Sequence, residues 1–165
     1  MNIHSKLAVA VLGLGFGVSA PATSTVEAAA ARQYVDTSAY LTSEADIEAW
    51  YQLTSNLKQN FDDVCGDTFC EGDYSNIESL RFRCSVDSRT GVIGQCVWVF
   101  AASNEEINPA TGAITVDTQT WTCQAPLAPR TTLRSLLTAL AGTSPINATL
   151  PGTQTSIYDG LVDCL

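Results

Sequence analysis

The chain has 165 residues and a formal net charge of −9, because 17 Asp and Glu residues outnumber 8 Lys and Arg residues. An acidic surface without a basic patch repels phosphate backbones and anionic lipids, so nucleic-acid binding is disfavoured. The only histidine is His4, which lies in a segment that we predict to be cleaved. A mature chain without histidine has no Ser-His-Asp or Cys-His catalysis and no histidine metal site. We therefore predict that the protein is not an enzyme and needs no cofactor.

Residues 1–30 have the pattern of a secretory signal peptide. Lys6 precedes an apolar run at 7–20, and small-x-small cleavage sites end at Ala28 and Ala30. A transmembrane helix needs about 20 apolar residues, and this run is shorter. We expect residues 31–165 to form a single secreted or periplasmic domain, with no membrane span after signal cleavage.

A long helix is predicted to begin at Thr42 or Ser43 and to end at Gly66. The hydroxyl side chains can cap the helix, and acidic residues fill its first turn, where the helix dipole favours them. Apolar residues recur at intervals of three and four: Ile47, Trp50, Tyr51, Leu57, Phe61 and Val64. This stripe predicts a buried helix face, with Trp50 and Tyr51 in the core rather than in a ligand-stacking role.

Three strands are predicted after the helix, because the apolar period changes from helical to alternating. In the first, one set of residues faces the core: Leu80, Phe82, Cys84 and Val86. Residues 95–103 are apolar on both faces and predict a central strand. Residues 113–124 are rich in Thr, Val, Ile and Trp and predict a third strand.

Two similar loops join these strands. They are Asp87-Ser88-Arg89-Thr90-Gly91 and Asn108-Pro109-Ala110-Thr111-Gly112. An Asx side chain can accept a hydrogen bond from the backbone two residues later, and glycine adopts the positive φ that closes such a turn. The loops therefore predict two hairpins in an antiparallel meander.

A short helix is predicted after Thr131 or Thr132, with four leucines on one side and Gly142 at its end. Ile157 and Val162 bound a short final helix. The predicted fold class is therefore α+β: a long N-terminal helix packed on an antiparallel β-meander, followed by a short C-terminal helix, as a two-layer sandwich.

Six cysteines follow the predicted cleavage site: Cys65, Cys70, Cys84, Cys96, Cys123 and Cys164. An even number in an oxidising compartment predicts three disulfides. We expect Cys65 to pair with Cys70, because the two lie close in sequence at the end of the long helix.

The other four cysteines depend on the register of the first hairpin. In a regular hairpin, Cys84 and Cys96 face opposite sides of the sheet, so that Cys96 pairs with Cys123 and Cys84 with Cys164. A bulge at Gly94 would bring Cys84 opposite Cys96 instead.

The stretch 65–73, CGDTFCEGD, is rich in acids at the predicted disulfide. Five carboxylates gather around it: Asp62, Asp63, Asp67, Glu71 and Asp73. Calcium prefers several oxygen ligands, but the spacing departs from the EF-hand pattern. We interpret this stretch as a stapled turn. A calcium site and a pair of hydrolytic carboxylates are the alternatives.

The order of a long helix followed by a meander resembles the cystatin-like arrangement, in which a sheet wraps a helix. The loop Thr90-Gly91-Val92-Ile93-Gly94 is similar to the Q-x-V-x-G protease-contact loop of cystatins. It keeps Val92 and Gly94 but has Thr90 in place of glutamine, and Pro109 in the second loop has no tryptophan after it. The resemblance implies a protease partner that contacts Val92 and Gly94.

We conclude from the sequence that the chain is a small secreted, disulfide-stabilised protein. We predict a non-catalytic binding or interaction domain, whose partner is an unidentified protein or surface and whose oligomeric state is undetermined. A cystatin-like inhibitor of papain-type proteases is the alternative, and a carboxylate-dependent hydrolase or calcium-binding domain is the second alternative.

Overall fold

The computed structural model describes residues 32–165, and the predicted signal peptide lies outside them. These residues form an antiparallel sheet in the order β1-β2-β3-β4. Its strands are β1 (Tyr34–Asp36), β2 (Glu78–Asp87), β3 (Ile93–Ile107) and β4 (Ile114–Gln124). The helices are α1 (Thr37–Tyr40), α2 (Glu44–Cys65), α3 (Leu133–Ala139) and α4 (Ile157–Val162). The predicted α+β fold with an antiparallel meander is confirmed.

The sheet has one strand more than the sequence predicts. β1 pairs with the end of β2, where Tyr34, Val35 and Asp36 face Asp87, Val86 and Ser85. The chain then turns into α1, whose N-cap Asp36 accepts a hydrogen bond from the amide of Ser38 at 2.8 Å. A three-residue strand is too short to show an alternating pattern, so only the pairing with β2 identifies it.

Helix α2 packs its apolar face on the inner face of the sheet. Ser43 caps the helix by accepting a hydrogen bond from the amide of Asp46 at 3.1 Å. The buried face consists of Trp50, Leu53, Leu57, Phe61 and Cys65. The ring of Phe61 lies 4.6 Å from that of Phe100, measured between centroids. Burial of a large apolar side chain such as Phe61, which is 0% exposed, stabilises the fold by about 2 kcal/mol.

The prediction that Tyr51 lies in the core is wrong. Trp50 is 8% exposed, but Tyr51 is 66% exposed. Successive helical residues are rotated by about 100°, so the residue after Trp50 leaves the buried face that Leu53 and Leu57 continue. The sheet covers a narrower face of α2 than the predicted apolar stripe, which included both Trp50 and Tyr51.

The alternation predicted for β2 is interrupted at Leu80. The register shifts between Ser79 and Arg81, so Leu80 is an extra residue in the strand, and its side chain is 59% exposed. Ser79 turns inward, where its hydroxyl accepts a hydrogen bond from Nε1 of Trp98 at 2.8 Å. The bulge therefore moves an apolar residue out of the core and re-aims its neighbours.

A second bulge decides the disulfides. Ser85 faces Gln95 and Val86 faces Ile93, which leaves Gly94 as the extra residue and brings Cys84 opposite Cys96. A Cβ at Gly94 would lie 2.8 Å from atoms of both Tyr34 and Ser85, so only glycine fits the bulge without displacement of its neighbours.

The three disulfides are Cys65–Cys70, Cys84–Cys96 and Cys123–Cys164. The predicted Cys65–Cys70 bond is confirmed. The connectivity expected for a regular hairpin, Cys96 with Cys123 and Cys84 with Cys164, is wrong because the bulge changes the register.

The C-terminal segment covers one end of the core. Thr132 and Ser156 form capping boxes at the starts of α3 and α4, and the Cys123–Cys164 disulfide ties the chain end to β4. Several side chains of this segment are completely or almost completely buried: Leu133, Leu136, Leu140, Ile146, Leu150 and Leu161. Within residues 32–165, no helix has both the length and the apolar character that crossing a bilayer requires.

Candidate functional site

The stretch 65–73 forms a closed turn at the end of α2. The amide of Cys70 donates to the carbonyl of Cys65 at 2.8 Å, beside the disulfide. The five candidate carboxylates are all exposed: Asp62, Asp63, Asp67, Glu71 and Asp73. In the described part of the chain, no group of three or more His, Cys, Asp or Glu residues is placed to hold a metal ion. The arrangement supports a stapled turn and gives no support to calcium binding.

The loop that contains Val92 and Gly94 is built into the fold on one side. The amide of Ile93 donates to the carbonyl of Thr131, and the amide of Leu133 donates to the carbonyl of Gly91, both at 2.9 Å. Val92 is half-buried and forms an isolated bridge with Thr132. The start of α3 therefore covers one side of the loop that resembles the cystatin contact.

A cleft of about 520 Å³ opens between this loop, the start of α2 and α3. Asp46 and Arg134 both line it, and their charged atoms lie 4.0 Å apart. Because these two charges are opposite, they give the cleft no net charge.

A groove of about 310 Å³ lies between α2 and β2 and offers different chemistry. Pairing with β1 stops at Ser85, so within the described residues the backbone from Leu80 to Arg83 has no strand partner on that side. Trp50, Phe82 and Trp98 line the groove with little exposure. The groove therefore combines an open sheet edge with an aromatic wall.

Positive charge lines the same groove. Of the seven Lys and Arg residues in 32–165, three line it: Lys58, Arg81 and Arg83. Nζ of Lys58 lies 3.5 Å from Glu78, and Arg83 pairs with Asp36. Arg81 is exposed and has no ion pair among the described residues. Arg81 is thus the cation that remains available to an acidic ligand.

Asp36 lies at the end of the groove where β1 stops. Partial burial raises the pKa of its carboxyl, but hydrogen bonds from Ser38 and Arg83 outweigh this effect and lower the pKa to about 2. Asp36 is therefore ionised at neutral pH and holds Arg83 at the groove rim.

The second hairpin extends past the core as a projection that we call the arm, residues 103–118. Three of its apolar side chains are largely exposed: Ile107 at 70%, Ile114 at 63% and Val116 at 59%. It contains Glu105, Glu106 and Asp117 but no Lys or Arg.

The base of the arm is attached to the turn that follows α2. The hydroxyl of Tyr74 donates to Asp117 at 2.7 Å, and Nδ2 of Asn76 donates to the hydroxyl of Ser103 at 3.1 Å. The hydrogen bond to Asp117 raises the pKa of the Tyr74 phenol. These contacts hold the arm at its base and leave its tip in solvent.

Sequence reasoning missed both the groove and the arm. Lys58, Arg81 and Arg83 are separated in the sequence and have no pattern that distinguishes them from other surface cations. The alternation around Arg81 does indicate a polar strand face, but only the short pairing with β1 leaves that edge open. The predicted central strand ends at residue 103, so the extension of β3 to Ile107, which builds one side of the arm, was not predicted.

Comparison of the chain with protein-family models, with curated proteins and with solved structures finds no significant match. The function is therefore inferred from the chemistry of the groove and the arm.

Proposed function

We propose that the mature chain is a secreted, disulfide-stabilised, non-catalytic binding domain. Its binding site is the groove between α2 and β2, and its ligand is an extended acidic peptide. The observation that supports this most directly is the unpaired edge of β2 from Leu80 to Arg83, which includes the exposed Arg81.

An unpaired strand edge binds an extended peptide by adding it to the sheet. Main-chain hydrogen bonds then provide affinity, and pockets for alternate side chains provide specificity. Residues 80–83 span about 13 Å at roughly 3.3 Å per residue, which accommodates about four residues of ligand backbone. The exposed side chains of Tyr51 and Leu80 at the groove rim offer apolar contacts.

The charges around the groove select an acidic ligand. Most of the surface of a chain with net charge −9 repels acidic peptides, whereas the unpaired cation Arg81 attracts them locally. Bulges and cations at an open edge also discourage pairing with uncharged strands. The cation at Arg81 therefore favours strands that bring negative charge over uncharged strands.

The proposal is tested with synthetic peptides in which Glu alternates with Val or Thr, and with matched peptides in which Lys replaces Glu. Fluorescence anisotropy measures their binding to the secreted protein. We expect binding of the acidic series, with affinity that falls as salt concentration rises. Arg81→Glu should weaken binding about tenfold or more, because it replaces the unpaired cation by a repelling charge.

Arg130→Glu is the matched control, since Arg130 is exposed, does not line the groove and changes the net charge by the same amount. It should change the affinity by less than about twofold, because a distant exposed charge is screened. Equal effects of Arg81→Glu and Arg130→Glu, or equal binding of acidic and basic peptides, would reject the proposal.

The alternative proposal is inhibition of papain-type proteases. It is supported by the helix-and-meander order and by Val92 and Gly94 in the first hairpin loop. We rank it second because the hydrogen bonds to Thr131 and Leu133 occupy part of the loop backbone. It predicts that the protein blocks papain and that Val92→Asp relieves the block. Full papain activity at micromolar protein would exclude it.

A further inference from the structure

The sheet has open edges on opposite sides. In the order β1-β2-β3-β4, the whole of β4 forms the edge on one side, because its described pairing is with β3 alone. On the opposite side, β1 covers only the end of β2 and leaves residues 80–83 of β2 open. Open edges of this kind are templates for pairing with another strand.

The two edges have opposite charge. The arm, which contains the start of β4, carries Glu105, Glu106 and Asp117 without a cation. The groove at the edge of β2 is lined by Lys58, Arg81 and Arg83, and Arg81 is the one of these cations without an ion pair among the described residues. Complementary charge steers encounter and fixes the register of two surfaces. The chain itself therefore presents an acidic hairpin, with Glu105 and Glu106 on β3 and Asp117 on the edge strand β4.

The apolar side chains also match. Ile107 and Ile114 face each other across the tip of the arm, and both are more than half exposed. Tyr51 and Leu80 are exposed at the groove rim to 66% and 59%. Exposed apolar residues that cluster within a polar surface are typical of contact sites. Burial of each such group would add to the main-chain hydrogen bonds of strand addition.

We propose that the arm of one copy pairs as a strand with the β2 edge of a second copy, so that the sheet continues from copy to copy. This inference rests on the proposed function, because it names the partner of the same groove. The contact is heterologous, since it joins different surfaces of the two copies. Successive contacts of this kind form a ring where the rotation closes and a filament where it does not.

A symmetric pairing of two β4 strands is the competing arrangement. It would bring together two arms that each carry Glu105, Glu106 and Asp117. Like charges on paired strands destabilise the pairing. The head-to-tail arrangement instead places these acids beside the groove and its unpaired cation, Arg81.

Complementation between two variants tests the inference. Arg81→Glu blocks the groove and leaves the arm intact, whereas Glu105→Gln with Glu106→Gln blocks the arm, leaves the groove intact and creates no new charge match with Glu at position 81. Sedimentation velocity of the secreted protein at low salt measures assembly. We expect the unaltered protein to form species larger than a dimer as its concentration rises, and each variant alone to be monomeric. An equimolar mixture should form a heterodimer and nothing larger, because only one productive contact is available per pair.

Two charge-matched controls should assemble like the unaltered protein. They are Arg130→Glu, and Glu48→Gln with Glu71→Gln, all at exposed positions outside the groove and the arm. Circular dichroism of every variant, with a count of free thiols, verifies that the fold and the disulfides are retained.

The outcomes separate this inference from the proposed function. A protein that stays monomeric at every concentration, but binds acidic peptides through Arg81, overturns the inference and keeps the proposed function. Assembly that Arg81→Glu leaves intact and the arm variant abolishes would establish the symmetric β4 pairing instead. Failure of both assembly and peptide binding would overturn both proposals.

Discussion

The two hairpin loops of the meander have the same local structure and opposite surroundings. Each begins with an Asx side chain, Asp87 or Asn108, whose Oδ1 accepts hydrogen bonds from the amides two and three residues later at 3.0 to 3.2 Å. Each ends on a glycine, Gly91 or Gly112, with φ of 70° or 71°. The same turn chemistry therefore operates in both.

Their neighbours differ. A Cβ at Gly91 would lie 2.5 Å from the hydroxyl of Tyr40, whereas a Cβ at Gly112 would meet nothing within 4 Å. Asp87 is 3% exposed, and its loop is bonded to the start of α3. Asn108 is exposed at the tip of the arm. The comparison shows that local sequence determines a turn, while the surrounding chain decides whether that turn is a packed joint or a free tip.

The largest effect is expected when the cross-link of the packed hairpin is removed. Cys84→Ala with Cys96→Ala should lower the free energy of unfolding by about 3 kcal/mol, because the bond limits the unfolded chain and both residues are buried. Scanning calorimetry should show a decrease of several degrees in Tm. The Cys65–Cys70 disulfide closes a shorter loop. Its removal by Cys65→Ala with Cys70→Ala should therefore lower the free energy of unfolding by about 2 kcal/mol. A larger loss for the Cys65–Cys70 pair would contradict the assignment of the first hairpin as the packed element.

The next effect compares the two loop glycines directly. Gly91→Ala should destabilise the protein by about 2 kcal/mol or more, because it combines a positive φ with a clash against Tyr40. Gly112→Ala should cost about 1 kcal/mol, from the positive φ alone. Urea denaturation measures both. Gly142→Ala, where a Cβ meets nothing and φ is not positive, is the control and should cost nothing measurable. Equal losses at Gly91 and Gly112 would mean that Tyr40 moves aside freely.

A smaller difference is expected for the two Asx residues. Asp87→Ala should cost about 1.5 kcal/mol, since it removes the acceptor of two hydrogen bonds, from the amides of Arg89 and Thr90, that are partly buried. Asn108→Ala should cost about 0.5 kcal/mol, because water replaces the lost acceptor at the exposed tip. Chemical denaturation of the two variants in parallel gives the comparison. A greater loss at Asn108 would show that the arm tip is packed against something in solution.

A further effect depends on pH and concerns β1, the strand that flanks the packed hairpin. Asp36 has its pKa lowered from 3.8 to about 2, so the unfolded chain binds the proton more tightly than the folded chain. Its contribution is complete above pH 4 and is lost as pH falls through about 2. We expect about 1 kcal/mol after allowance for solvent screening. Melting curves from pH 6 to pH 2 should fall less steeply for Asp36→Asn. If Tm falls equally with pH in the variant and in the unaltered protein, Asp36 does not contribute to the loss of stability in acid.

Much of the local structure follows from the sequence alone. The 3.6-residue period predicts α2, and the alternating period predicts the strands of the meander, because side-chain direction repeats with the backbone geometry. The Asx-Thr-Gly loops and the caps at Thr132 and Ser156 depend only on neighbouring residues. The Cys65–Cys70 disulfide is predictable for the same reason, since its residues are close in the chain.

The candidate site depends on the tertiary structure. The bulges at Leu80 and Gly94 change which residues face each other across β2 and β3, and a one-residue shift turns every later side chain to the other face of the sheet. β1 pairs with only three residues of β2. The edge of β2 that includes Arg81 is therefore open. No local pattern encodes these features, because each arises from contacts between segments that are far apart in the sequence. The sequence by itself determined the elements and the turns, whereas the packing of those elements decided which edge is open and which charge lies beside it.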